Sequence, residues 1–487
     1  MNHYILTIDI GTTSTKAFAF TADGLVLAKY QQPYPTFYQQ PNFAEQNPHE
    51  ILAAVKNSIK HLLKKIGREP LALSFSSAMH SMMAVDANGN CLTPLIIWAD
   101  NRSELQAEEL KNSDLGNEIY QRGGIPIHPM SPVCKLRWLK EKQPKIFKLT
   151  AKFISIKEYV CFKLTGEYVI DYSIASATGL LDTENLIWNV RVLQYCQISP
   201  HHLSTLCDPE HRLTLLPTSA IELGISINTP IIVGASDGCL ANLGSNTLNA
   251  GDMAITIGTS GAVRMAASQF KVDQQQRTFC YYLSNKKFII GGASNNGAVL
   301  LNWFGNSLLM SHQSAEDFLR DAFSVASTEG LIFLPYVMGE RAPLYDANAS
   351  GAYIGLTMKH NQAHLKRALI EGICFAIKSI VISVEEVVTP ANRISVSGGF
   401  IQSQAWVQLV CDVLGKPLEM DSNEDASSVG AAMLGFKALG IEASFAPQST
   451  KVFSPDLSKH EYFKKEFAIF QSLYIALKDD FKKIKQL

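Results

Sequence analysis

Two short runs of this 487-residue chain are near copies of one another. Ile8-Asp9-Ile10-Gly11-Thr12-Thr13-Ser14 is echoed by Ile255-Thr256-Ile257-Gly258-Thr259-Ser260-Gly261, about half a chain later. Each copy reads as an apolar strand entering a tight Gly/Thr/Ser turn. Such an echo at the start of each half restricts the fold to two similar α/β lobes facing each other across a cleft. The lobes are expected at 1–246 and 247–487, with Asn249-Ala250-Gly251-Asp252 as the hinge. At roughly 150 residues per domain the length suits two or three domains. Apolar residues at 47% and charged residues at 18% exclude a disordered, collagenous or low-complexity chain.

The flanking pattern supports that reading. Tyr4–Ile10 is β-rich, a second strand covers 15–20, and Asp23-Gly24 is a hairpin turn leading to a third strand from Leu25. From His49, Ile51, Leu52, Val55, Ile59 and Leu62-Leu63 recur on one helical face. The second half predicts a long helix over 362–388, a short strand Arg393–Ser397, a break at Gly398-Gly399 and a helix from Ser403. In the tail, Phe463, Phe467, Phe470, Tyr474, Leu477, Phe481 and Ile484 alternate at spacings of four and three. That stripe docks on its own lobe or forms the seam of a homodimer.

Lys plus Arg is 43 and Asp plus Glu is 44, a net charge of −1, with no basic block to grip nucleic acid. The nine cysteines are scattered without a CxxC pair, and the twelve histidines show no ligand spacing, so reduced thiols in a cytoplasmic protein are expected. Asp9 interrupts the apolar run that a signal peptide needs, and no stretch of about 18 uncharged apolar residues offers a membrane span.

Several residues could carry chemistry. The turn Gly11-Thr12-Thr13-Ser14-Thr15-Lys16 offers converging N–H groups and hydroxyls, a nest for phosphate, and Asp9 before it could hold a hydrated Mg²⁺. An ordinary polar hairpin is the alternative. Gly258-Thr259-Ser260-Gly261 is a second nest, with Thr256 in place of the carboxylate. No Walker A and no GxGxxG pattern occurs. After a strand at 230–233, Gly234-Ala235-Ser236-Asp237-Gly238 leads into a helix. There Asp237 reads first as a helix cap and second as an ionised acceptor for a hydroxyl proton. Gly398 and Gly399 form a tight turn or let a flat ring approach the backbone. His80, Trp98, Asp100 and Arg102, on two first-lobe loops, make a polar group suited to a polyol; each alone reads equally as structural.

Together these segments resemble the FGGY carbohydrate kinases, within the sugar-kinase, actin and chaperone ATPase superfamily. Asp9 to Lys16 is similar to the first phosphate motif, and Glu45-Gln46 to the Glu-Gln element, with Phe43 where Trp is usual. Pro132-Val133-Cys134-Lys135-Leu136-Arg137-Trp138-Leu139 resembles the first family signature, departing at Lys142. Gly351-Ala352-Tyr353-Ile354-Gly355-Leu356, with His364-Leu365 and Ala368 to Glu371, resembles the second, loose at Leu369. Ile257 to Gly261 is similar to the second phosphate motif and Ser397-Gly398-Gly399 to the adenosine motif.

The resemblance implies two ribonuclease H-like lobes with ATP, Mg²⁺ and a small sugar or sugar acid in the cleft. It implies Asp237 as catalytic base and Asp9 as metal ligand. Gly11, Thr12, Thr13, Lys16, Gly258, Thr259, Gly297, Gly398, Gly399 and Ser403 would face the nucleotide, and Met79, His80, Asp100, Arg102 and Asp237 the substrate. Ser76-Ser77-Ala78-Met79-His80-Ser81 and Trp98-Ala99-Asp100-Asn101-Arg102-Ser103 most resemble the gluconate kinase branch. Xylulose kinases are the runner-up, and a non-catalytic or actin-like ATPase switch is the remote alternative. Gluconate is an anion, so some cation must meet its carboxylate; Arg102 and His80 are the expected pair.

Overall fold

The computed structural model describes residues 3–310, 313–421, 425–445 and 449–487. In the first lobe β1 (Tyr4–Ile10) and β2 (Ser14–Thr21) form a hairpin, and β3 (Val26–Pro33) follows. Helix α1 (Pro48–Ile66) then crosses over to β4 (Leu73–Ser77), and β5 (Arg212–Leu213) and β6 (Ile231–Ser236) come much later. The sheet order is β5–β6–β4–β1–β2–β3. Every residue of β1 and of β4 is buried, as expected of adjacent parallel strands covered on both faces. Helix α1 starts where the sequence signals it: Asn47 caps the His49 N–H, Pro48 opens the first turn, and Gly67 closes the helix in the left-handed region.

Helix α2 (Asp237–Gly244) leads into the second lobe, which begins with β7 (Asp252–Ile257), β8 (Gly261–Ala267), β9 (Phe279–Ser284) and β10 (Lys287–Ser294). Helix α3 (Gln362–Val387), β11 (Arg393–Ser397), α4 (Gln404–Leu414), β12 (Leu418–Asp421), α5 (Ala426–Ala438), β13 (Ser449–Phe453) and α6 (Leu457–Ile484) complete it. Its sheet order is β9–β10–β8–β7–β11–β12–β13. The five strands β3–β2–β1–β4–β6 therefore have counterparts β10–β8–β7–β11–β12, and the echo in the sequence is a duplicated fold. The register matches to the residue. Asp9 pairs with Ser76 of the parallel neighbour, and Thr256 pairs with Ser397 of its own.

Two helices cross between the lobes. Cys239 and Leu240 of α2 pack with Ala266, Phe279 and Tyr281 of the second lobe. In return α5 lies on the first-lobe sheet, Val429 and Ala432 against Phe18 and Phe20, and Phe436 with Ile5 and Ile232. Glycines allow the crossing. A Cβ at Gly244 would stand 1.9 Å from the Ala426 carbonyl oxygen, and one at Gly430 would stand 2.0 Å from that of Leu240.

The apolar stripe of α6 docks on its own lobe. Phe463, Phe467 and Phe470 surround Phe375 of α3 with ring centroids 6.2, 5.9 and 5.4 Å away. Phe481 is buried with them, whereas Ile484 is exposed. All nine cysteines are free thiols. Among the described residues no helix is long and apolar enough to cross a membrane.

Candidate active site

The first nest is held open from behind. The Tyr34 hydroxyl donates to the Gly11 carbonyl at 2.6 Å, the Gln46 amide to the Thr12 carbonyl at 2.5 Å, and the Tyr34 N–H to the Thr13 carbonyl at 3.1 Å. With three carbonyls engaged by Tyr34 and Gln46 and the Gly11 N–H closed on the Ser14 carbonyl, Thr13 is left exposed at the turn. The second nest is built alike. The N–H groups of Ala298 and Val299 take the carbonyls of Gly258 and Thr259. Gly297 is required there, since a Cβ would lie 2.6 Å from the Gly258 carbonyl oxygen.

A continuous path of contacts joins the nests. Trp98 Nε1 donates to Thr12 Oγ1 at 2.8 Å, and Arg341 lies over the Trp98 ring at 5.0 Å. Arg341 also donates to the Ser294 carbonyl, and Ser294 pairs with Gly261 beside the second nest. Gly398, at φ 99°, passes Ile257 so closely that a Cβ would lie 2.6 Å from its carbonyl oxygen, while Gly399 faces open space. Ser403 caps α4 through the Trp406 N–H. Lys16 reaches across the lobes to Asp425 at 2.6 Å.

Asp9 is buried, and each carboxylate oxygen accepts from a serine, Ser76 at 2.6 Å and Ser427 of the second half at 3.0 Å. Burial raises its pKa, with those hydrogen bonds and Lys16 opposing. Asp237 opens α2, but the cap is Ser236, whose hydroxyl accepts the Cys239 N–H. Asp237 accepts only its neighbour's N–H, from Gly238 at 2.6 Å, among the described residues. Burial first, then the charge of Asp9, push its carboxyl up to about 6, with Arg264 pulling the other way. Ser236 is itself fixed by Ser173, 2.9 Å between hydroxyls. Nearby, Lys157 and Asp171 form a fully buried ion pair at 2.6 Å. The strand before this corner runs further than the sequence suggests, through a bulge at Gly234 (φ 73°), where a Cβ would collide with the Phe75 carbonyl.

The polyol-type loops behave differently from expectation. Arg102 is held by two carboxylates through Nε and Nη2. Its guanidinium takes both oxygens of Asp100 at 2.7–3.0 Å and Glu45 at 2.6 Å, and lies 3.7 Å over the Phe43 ring. Its side chain is 3% exposed. Asp100 is wholly buried and also accepts the Ala44 N–H. This pair organises the loop through Nε and Nη2 of Arg102. His80 sits at φ 64°, buried, with Nδ1 2.9 Å from the Ala177 carbonyl and Nε2 3.1 Å from the Tyr281 hydroxyl. A carbonyl only accepts, so Nδ1 carries the proton and Tyr281 donates to Nε2. Burial, Lys135 and Arg341 lower its pKa to about 3, leaving it neutral. Lys135 is buried on the carbonyls of His80 and Ile97 at 2.6 and 2.8 Å, which clamps the two loops together. Met79 touches the start of α2.

Sequence reasoning overlooked Arg264 and Tyr281. Arg264 stands in β8 between the buried Val263 and Met265, a charge in an otherwise apolar strand, and that contrast is the signal that would have found it.

Two duplicated lobes, each with a Gly/Thr/Ser turn after its first strand, fit a phosphoryl-transfer enzyme of the actin-like ATPase fold. A model of the FGGY family of carbohydrate kinases, N-terminal domain, matches residues 4–244, and its C-terminal-domain partner matches 253–439. A gluconokinase of Bacillus subtilis (strain 168) is 40% identical over 467 residues, covering 93% of this chain and 91% of the relative. The crystal structure of gluconate kinase from Lactobacillus acidophilus superposes with a TM-score of 0.95 at 33% identity, covering 99% of this chain and 100% of that one. The ligand-bound xylulose kinase from the same organism gives 0.94 at 33% identity, with the same coverage. The chain belongs to the FGGY family, and it is a carbohydrate kinase.

Proposed function

We propose that this kinase moves the γ-phosphoryl group of ATP to the terminal primary hydroxyl of a sugar acid, D-gluconate, giving 6-phosphogluconate. The observation that carries the reading is Asp237, a cleft carboxylate relieved of capping by Ser236 and facing Asp9. The gluconokinase relative at 40% identity favours gluconate over other acceptors. The xylulose kinase structure, at the same 33% identity as the gluconate kinase structure, favours a second reading, a neutral pentulose.

In this reading Asp237 accepts the hydrogen bond of the acceptor hydroxyl and takes its proton late, because the transition state of phosphoryl transfer is loose. The nests at Gly11–Thr13 and Gly258–Thr259 hold phosphate oxygens, Lys16 exchanges Asp425 for phosphate, and Gly398, Gly399 and Ser403 border the adenosine. Asp9, a buried carboxylate held by Ser76 and Ser427, is a hard oxygen donor that fits a hydrated Mg²⁺. Bound there, Mg²⁺ would neutralise charge on the transferred group. Alignment between the lobes supplies much of the rest, roughly 7–11 kcal/mol in well-oriented systems.

The test is ADP release in a coupled assay with gluconate, xylulose, ribulose and glycerol. Strong stimulation by gluconate is expected. Preferential stimulation by xylulose would replace gluconate with a pentulose, and ATP turnover indifferent to every sugar would leave an ATPase switch.

A further inference from the structure

An anionic acceptor needs a cation, and the cleft can be audited for one. Arg102 is neutralised by Asp100 and Glu45, and His80 is neutral. Lys135 faces three carbonyls, Lys157 is paired with Asp171, and Lys16 with Asp425. Two guanidiniums are left. Arg341 donates once, to the Ser294 carbonyl at 3.3 Å, while its Nε is buried without a partner. Its neighbour Glu340 is held elsewhere, by Ser294, Asn295 and Asn296. Arg264 has no hydrogen bond and no ion pair among the described residues, although Asp237 lies near it.

Arg264 is placed by its strand. Val263 and Met265 point into the second-lobe core, so Arg264 projects from the opposite face, between the small Ala262 and Ala266. Its Nε would stand 3.3 Å from a Cβ at Gly238 and its Nη2 3.6 Å from it, with Met79 Cε at 3.1 Å from the same point. The guanidinium therefore lies over the first turn of α2, beside Asp237 and the substrate loop. The absence of a side chain at Gly238 gives it that space. Arg264 and Arg341 are near enough for the charge of Arg264 to oppose that of Arg341, and burial works against both charges. Two like charges, each half-buried and with no carboxylate closed on either among the described residues, suit an anion.

We propose that Arg264, seconded by Arg341, receives the carboxylate of the acceptor and thereby selects a sugar acid over a neutral sugar. This rests on the reading that the acceptor is a sugar acid. It replaces Arg102 and His80, the pair expected from sequence. The planar guanidinium suits a carboxylate better than an ammonium does, through two parallel N–H donors.

The test compares wild type, Arg264→Met and Arg264→Lys with gluconate and with xylulose, reading kcat and KM separately, and adds calorimetric binding of gluconate without nucleotide. Loss of a charged hydrogen bond at this site is expected to raise the gluconate KM and dissociation constant about 10- to 100-fold in Arg264→Met. The gluconate-to-xylulose ratio of kcat/KM should fall by the same order, and Arg264→Lys should fall less. Should the Met variant fail to fold, the Lys variant decides alone, by whether its ratio falls. A wild type that phosphorylates gluconate, with variants whose ratio is unchanged, would overturn the role of Arg264 and leave the proposed function intact. A wild type that takes xylulose and not gluconate would overturn both.

Discussion

Asp237 draws its ionisation range from burial and from its charged neighbours. Burial and Asp9 raise it and Arg264 lowers it, to about 6. A base must be ionised to accept a proton, so kcat/KM should drop about tenfold per pH unit below pH 6 and stay flat above it on this limb. Removing the charge of Arg264 removes the lowering influence, so Arg264→Met should move the limb to higher pH. A limb that stays in place in a pH–rate profile would detach the two residues. Arg102 belongs to the frame. Breaking its buried pairing by Arg102→Ala should cost about 3–5 kcal/mol of stability in a denaturant titration. Its gluconate-to-xylulose ratio should stay level, whereas a selective loss for gluconate would restore Arg102 as the carboxylate partner. The contrast shows what sequence can convey about a residue. The nests and Asp9 were legible because each is made within a few consecutive positions. The ion pairing of Arg102 was not legible because one of its two partners, Glu45, lies 57 positions away and meets it only in the fold. Asp237 read locally as a cap, since nothing in the sequence says that Ser236 takes that task.

At the scale of elements, the strands and long helices were legible from periodicity and turn chemistry, often to within a residue or two. The crossing of α2 and α5 was not, because each helix leaves its own half to pack on the other lobe, and only two glycines mark it. Gly430→Ala should push the helices apart against backbone. It is expected to cost about 1–3 kcal/mol in thermal unfolding and to lower turnover, since the same contact positions Asp237. Unchanged stability and turnover would mean that the crossing is loose. The stripe on α6 was legible as apolar but not as to its partner. Three of its seven residues, Phe463, Phe467 and Phe470, cluster on Phe375.

At the scale of the molecule, duplication supplies two nests and divergence gives them different tasks. In one copy the parallel-strand pair is Asp9–Ser76, in the other Thr256–Ser397, linked by hydroxyls 3.1 Å apart. Only the first carries a carboxylate. In the proposed reaction ATP and acceptor are aligned between the lobes, with one carboxylate on the acceptor hydroxyl. The most direct measurement is Asp237→Asn in single-turnover phosphoryl transfer to gluconate, with MgATP affinity measured alongside. Near-normal MgATP binding with transfer slowed on the order of 100-fold or more is the expected result. Transfer at the wild-type rate in that variant would contradict it.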